Sequence, residues 1–380
     1  MRIGIVTFHF AYNYGAVLQA WALQNFLQKQ NHDVNIINYC PQYHTERYAI
    51  HRSLISSLYI SLKYKKTGFL HALKSVVGTE IDNITKKKER TERKTVFDDF
   101  IYRNLVLTKQ YKSIRDLQAA NIKCDMLIAG SDQIWNEHIT NNSFDDAYYL
   151  QFGDPYSTRL IYAASLGETD IMACASHIKS LSYSLDRISC RERHDAEKLS
   201  YLIGSNVDYI IDPTLLLNAE RYVQIEKNID IQNGYILVYA LKKNNILCES
   251  IKKLIEEGEK IIDISPIQLN IDGMDKRRNI HPGEFLSFIK NSKLVLTNSF
   301  HGTAFSIIYT KDFICFNQGN RNGRIEGLLK ELNISNRLAK EIEEFDVIRK
   351  ATIDYDNVKS SLQDMQKKAT RFLSLLDVGV

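Results

Sequence analysis

No stretch of this 380-residue sequence approaches the ~18 to 20 consecutive apolar residues that a membrane-spanning helix needs. The opening residues, MRIGIVTF, are too short for a signal-peptide core and lack a cleavage site. The expectation is a cytoplasmic protein made without export. Cysteine is sparse, with six residues at 40, 124, 174, 190, 248 and 315 that form no CxxC pair, and no His/Cys cluster has zinc-ligand spacing. This argues against a disulfide framework and for reduced, partly buried thiols. GxGxxG, P-loop and HExxH patterns are all missing, which argues against the common dinucleotide, NTPase and zinc-protease sites. The net charge of +4 gives no ground for a nucleic-acid partner. Internal repeats and low-complexity tracts are absent.

What remains is an ordinary globular composition long enough for two domains, each with a sizeable core. RIGIVTF (2–8) reads as a buried strand, HFAYNYG as a loop, and Ala16 to Gln28 as a helix with Val17, Ala20, Leu23 and Leu27 on one face. DVNIINY (33–39) completes a β-α-β unit, which implies a parallel sheet. Residues 50–122 interrupt with a helical pattern that includes Leu54, Leu58 and Leu62. Strands resume at 124–136, 159–165, 187–199 and 207–217. A second series follows, with strands at 234–241, 260–265, 293–299 and 312–317 and helices at 245–257, 283–291, 303–309 and 324–332. The expected class is α/β: two doubly wound, Rossmann-like domains facing a cleft. The first would span 1–212 with a helical, basic insertion at about 50–122, and the second 213–350. The amphipathic segment 357–376 is expected to cross back onto the first domain.

Ligands of open α/β sheets bind beyond the carboxyl ends of the strands, so the strand-to-helix turns are the candidates. In HFAYNYGAV, Asn13, Tyr14 and Gly15 read equally as an anion-binding helix start and as an Asn-capped turn. In AGSDQIW, Gly130 allows close backbone approach, while Ser131 and Asp132 either cap a helix or bind a sugar hydroxyl. Arg191 directly follows a strand, where its guanidinium forks onto a carboxylate or phosphate, or forms an inter-helix salt bridge. Arg193 and His194 read as solvated helix residues.

LVLTNSFHGTAF (294–305) releases Asn298 and Ser299 at a strand end, places His301 in the first turn of a helix, and adds Gly302 for close approach. The helix dipole disfavours an imidazolium there, so a neutral ring suited to accept a hydroxyl proton is expected. A bound phosphate would let the same ring act as acid, and a capping histidine is the plain alternative. Arg321 and Arg324, with two glycines around a helix start, read as a phosphate loop or as an ordinary basic loop. Residues 63–94 hold ten Lys/Arg against four Asp/Glu, a net +6. They read as a solvated helix face or as a contact for an anionic membrane surface or diphosphate lipid.

Together IGIVTFHFAYNYGAVLQAWALQ, DMLIAGSDQIWN, YAASLG, ISCRERHDAEKL, IDPTLLL and TNSFHGTAFSIIYTKDF resemble the polysaccharide pyruvyl transferase family, over most of the chain and least at 50–120. The resemblance implies a GT-B-like pair of domains and transfer of a pyruvyl group from phosphoenolpyruvate to a sugar, usually as a cyclic ketal. Acceptors would be cell-surface polysaccharide units, often lipid-linked. Phosphoenolpyruvate is a substrate, and neither cofactor nor metal is implied. The family's histidine before glycine maps onto His301 as acid/base, and its arginine after the IS strand onto Arg191 as anion clamp. Many relatives carry an arginine where this chain has Ser299, a contact that Arg321 or Arg324 would have to replace. Two other readings stay open: a nucleotide-sugar glycosyltransferase of the same architecture, and a non-catalytic glycan-assembly protein. The one DxD, Asp354-Tyr355-Asp356, precedes a helix and reads as its cap. Localisation is expected to be cytoplasmic, with peripheral contact at the inner membrane face through 63–94 as the added option.

Overall fold

A computed structural model describes residues 1–51, 53–55, 58, 69–231, 234–317 and 323–374 of the chain. Leu62, Lys63, Gly319 and Arg321 lie outside the described residues. Among the described residues, twelve short strands form two sheets of six. The first contains β1 (Arg2–Val6), β2 (Asp33–Ile36), β3 (Met126–Asp132), β4 (Thr158–Ala164), β5 (Arg187–Cys190) and β6 (Val207–Tyr209). Its order is β2-β1-β3-β4-β5-β6 with every pair parallel. Helix α1 (Tyr14–Gln28) crosses from β1 to β2; α2 (Phe69–Thr85) and α3 (Lys87–Asn104) belong to the insertion; α4 (Ile171–Lys179) and α5 (Arg193–Ile203) follow β4 and β5.

The second sheet contains β7 (Ile236–Tyr239), β8 (Ile261–Asp263), β9 (Asp275–Lys276), β10 (Leu294–Thr297), β11 (Phe313–Phe316) and β12 (Leu338–Ala339). Its order is β12-β11-β10-β7-β8-β9, again all parallel. Helices α6 (Asn245–Glu256), α7 (Pro282–Asn291), α8 (Phe300–Ile308) and α9 (Gly323–Glu331) connect its strands. These two sheets are the doubly wound, GT-B-like architecture expected from the sequence. The two-residue edge strands β9 and β12 were not expected, because a pair of residues has no readable apolar period.

Continuous apolar runs become central strands because both sheet faces are covered. Ile3, Ile5, Met126 and Ile128 point into one buried cluster, and Val6, Leu127 and Ala129 into another on the opposite face. The first of these clusters continues to Leu237, Tyr239, Ile262, Val295 and Phe313 of the second sheet. The second sheet's far face packs Ile236, Val238, Leu294 and Leu296 into a third. One apolar layer therefore lies between the sheets and fixes them together. Helix α10 (Tyr355–Leu373) joins this layer through Val358, Ala369, Phe372 and Leu373, and Gln366 donates to the Leu215 carbonyl at 2.7 Å. Asp354 accepts from the Asn357 N–H at 3.1 Å, so the DxD aspartate is a helix cap.

The topology determines where the site lies. In the first sheet the strand order reverses between β1 and β3, and in the second between β7 and β10. Ligand crevices of such sheets open at the carboxyl ends beside that reversal. The helices that start there, α1 and α8, meet head-on: a Cβ added to Gly15 would fall 2.0 Å from His301 Nδ1.

Candidate active site

Asp212 is the hub. It lies just past β6 at the start of the segment joining the two sheets, and it is fully buried. Its Oδ1 accepts from the Thr214 N–H at 3.0 Å and from Thr214 Oγ1 at 2.8 Å. Its Oδ2 accepts from Arg191 Nη1 at 2.7 Å, with Ser131 Oγ at 3.4 Å and His301 Nε2 at 3.7 Å. Burial alone would push this carboxyl up. His301, the Arg191 guanidinium and the Thr214 N–H outweigh burial and hold it well below the usual carboxylate range.

Arg191 reaches Asp212 from the end of β5 and is itself only 5% exposed. Its guanidinium lies over the Phe300 ring, 4.9 Å from the centroid. Burial lowers its affinity for the proton, but Asp212 and Glu192 raise it by more, so it stays cationic. Nη1 is used by Asp212, while Nε and Nη2 are buried without a hydrogen-bond partner. Glu192 is beside them: Ser165 Oγ donates to its Oε1 at 2.8 Å, Arg191 Nε and Arg324 Nε each lie 3.8 Å from that oxygen, and Oε2 is buried without a partner. His301 Nε2 is likewise buried and makes no direct hydrogen bond, with the Asp212 carboxylate 3.7 Å away. Buried polar groups are nearly always satisfied, and leaving one unmade costs ~1–3 kcal/mol. Four such atoms at one junction single it out as the candidate site.

Space is available at the same place. Arg191, Asp212, Phe300 and Arg324 line a cavity of about 30 Å³. It shares Glu192, Arg193 and Arg324 with a cleft of about 730 Å³ walled by Gln133, Asn136, Glu168 and His194. Asp195 also faces this cleft, its carboxyl pushed up to about 6 by burial and by the charge of Glu192. Among the described residues no group of three or more His, Cys, Asp or Glu is placed to hold a metal ion.

Of the residues singled out in the sequence, Arg191, Ser131 and His301 converge here, and Arg324 borders the site through Glu192. Ser299 caps α8, accepting from the Gly302 N–H at 3.4 Å. An anionic carboxylate faces Nε2 at 3.7 Å, a neighbour that a reading of the ring from the helix dipole did not include.

Other residues take roles different from those expected of them. Tyr14 is not free for substrate: its hydroxyl donates to the Ile280 carbonyl at 3.2 Å, its ring stacks on Phe285 at 4.6 Å, and burial pushes its hydroxyl up to about 12. Asn13 takes the capping role, accepting from the Gly15 N–H at 2.9 Å. Asn298 uses its amide on the Leu241 N–H and the Lys242 carbonyl. Gly130 and Gly302 permit protein contacts rather than ligand approach: an added Cβ would sit 2.0 Å from the Tyr162 carbonyl oxygen and 2.4 Å from Thr297 Oγ1. No helix follows β3, so Ser131 and Asp132 cap none; Ser131 Oγ donates to the Ala163 carbonyl at 2.8 Å and Asp132 accepts from the Gln133 N–H. Arg193 bridges the two sheets' helices through Glu331 at 2.7 Å.

Sequence reasoning missed Asp212 and Glu192 as site residues. The available signal for Asp212 was an acid inside the apolar run YIIDPTLLL, since a carboxylate buried among apolar neighbours needs a cationic or hydrogen-bonding partner.

A sequence model of the family described as polysaccharide pyruvyl transferase matches residues 13–320, which include Asp212, Arg191 and His301. This chain belongs to the polysaccharide pyruvyl transferase family. Membership makes it a transferase of polysaccharide biosynthesis. No curated protein matches it in sequence. Among solved structures it is similar to the UDP-GlcNAc 2-epimerase of Methanocaldococcus jannaschii, with TM-score 0.47, 11% identity and 100% of both chains covered. A putative UDP-N-acetylglucosamine 2-epimerase from Listeria monocytogenes gives TM-score 0.48 and 10% identity over 99% of this chain and 95% of that one. The E. coli heptosyltransferase WaaC with ADP gives TM-score 0.39 and 12% identity, covering 96% and 100%.

Proposed function

We propose that this pyruvyl transferase-family protein moves the pyruvyl group of phosphoenolpyruvate onto two hydroxyls of one sugar, in a cell-surface polysaccharide or its lipid-linked precursor. The observation that carries the reading is the half-satisfied Arg191 guanidinium, buried beside His301 where the two sheets meet. Its free Nε and Nη2 suit the paired oxygens of a carboxylate or phosphate, and the start of α5 directly after Glu192 adds favourable dipole.

The chemistry requires a proton at C3 of the enol, which leaves C2 electron-deficient and oxocarbenium-like. A first sugar hydroxyl adds to C2 and loses its proton. Phosphate then leaves from C2, and a second hydroxyl takes its place, giving the ketal, inorganic phosphate and a restored proton count. His301 is the group assigned to proton transfer, through Nδ1 or through Nε2 once a ligand separates that nitrogen from Asp212. Arg191, aided by Arg324, holds the donor's negative charge as it redistributes. Asp212 orients both the ring and the guanidinium. No resident cofactor enters this scheme.

The test is incubation with phosphoenolpyruvate and a panel of saccharide acceptors, followed by mass spectrometry for a pyruvate adduct and by phosphate release. Acceptor-dependent phosphate with a ketal adduct supports the reading. Turnover with UDP-, GDP- or CMP-sugars instead contradicts it, and donor binding without any turnover points to a glycan-assembly protein.

A further inference from the structure

Helix α2 presents aliphatic side chains to the outside. Its inward side carries Asn83, only 3% exposed and held by Arg90 Nη1 at 3.0 Å and His51 Nδ1 at 3.1 Å. Its outward side carries Val77, Ile81 and Ile84, which are 54%, 56% and 70% exposed. The spacing of four and three puts these three side chains in one row on the helix surface. Single exposed aliphatics need no explanation, whereas an aligned row of three on one helix face does.

The charge around the row has one sign in excess. Lys74 is exposed within α2, and Lys86, Lys87 and Lys88 are exposed directly after it. Residues 74–94 hold seven Lys/Arg against four Asp/Glu, and one of those acids, Asp82, is neutralised by Lys86 at 2.9 Å and Arg90 at 3.6 Å. Aliphatic side chains facing out beside lysines match an anionic lipid surface, where the apolar row enters the interface and the ammonium groups meet phosphates. Among the described residues no helix is long and apolar enough to cross a membrane.

We propose that the Val77–Ile81–Ile84 face of α2 docks this protein peripherally on an anionic phospholipid bilayer. The consequence for the site is positional. Helix α3, which packs on α2, holds the β1 turn through Arg93, whose Nε donates to the Tyr12 carbonyl at 3.0 Å beside Asn13. Docking therefore places the turn that faces His301 on an element attached to the bilayer, where a lipid-linked acceptor would be presented. The proposal stands apart from pyruvyl transfer, since vesicle binding needs no turnover.

The experiment is co-sedimentation of the full chain with vesicles of equal parts phosphatidylglycerol and phosphatidylcholine, against phosphatidylcholine alone, at low and high salt. Binding is expected to the first and to fall with salt. The double variant Ile81→Asp/Ile84→Asp should lower partitioning roughly a hundredfold, from the lost apolar burial of two isoleucines. Lys87→Gln/Lys88→Gln should lower it about tenfold. All four positions are exposed, so unchanged circular dichroism and melting are expected and control for folding. Absence of binding, equal binding to both vesicle types, or equal binding by the variants overturns the proposal. So does a concentration-dependent dimer that Ile81→Asp/Ile84→Asp abolishes, because a second copy would then cover this face.

Discussion

The turns after β1 and β5 each lead from a buried strand into a helix. In the folded chain they differ in what their side chains do. After β1, the Asn13 Oδ1 caps the helix and the buried Tyr14 hydroxyl donates to the Ile280 carbonyl. After β5, Arg191 finds one partner and leaves two buried nitrogens without any, beside an equally unpartnered Glu192 oxygen. Across the junction the turn after β10 divides the same way between neighbours: Asn298 is used up on the β7 loop, and His301 Nε2 is left unsatisfied. A strand end becomes a candidate site when the fold withholds partners, and residue type alone does not show that.

The contrast can be broken by mutation. His301→Ala should reduce acceptor-dependent phosphate release about 10²- to 10⁴-fold with little change in melting temperature; retained turnover would remove the ring from the chemistry. Asp212→Asn should cost about 3–5 kcal/mol in denaturant unfolding, because Arg191 keeps its buried charge and loses its counter-ion. That loss also has a pH signature. The folded Asp212 carboxyl titrates below its unfolded value of about 3.9, so its contribution is complete above that pH and drains as pH falls toward the folded value. The asparagine variant should lack that part of the acid slope, and an identical slope would assign the acid sensitivity elsewhere.

Gly15→Ala should come next, at about 1–3 kcal/mol together with loss of turnover, because the new methyl occupies the imidazole's position. Unaltered kinetics there would mean that the two switch-point helices separate during the reaction. Tyr14→Phe should have the smallest effect, about 1 kcal/mol or less from the lost bond to Ile280, with turnover intact. A large kinetic defect would move Tyr14 from packing into the site.

The same contrast explains what was readable from the sequence. Apolar runs bounded by polar turns gave both sheets, because strands covered on two faces have little freedom of composition, as in LVLT of β10. His301 and Arg191 were readable as well, since a histidine at a helix start and an arginine just after a strand fall at carboxyl ends by topology. Asp212 was not, because its role depends on Arg191, 21 residues away, and on a histidine of the other sheet. Gly130 and Gly302 were misread for a related reason: close approach was correctly inferred, but the approaching group is the protein itself.

The most direct test is calorimetric titration of phosphoenolpyruvate into the native protein and Arg191→Lys. Lysine keeps the charge beside Asp212 but removes the fork, so the account predicts clear binding by the native chain, weaker by about tenfold or more in the variant, with folding preserved. Equal affinity in the two proteins would contradict it, showing that the unpartnered guanidinium nitrogens are not where the donor is held.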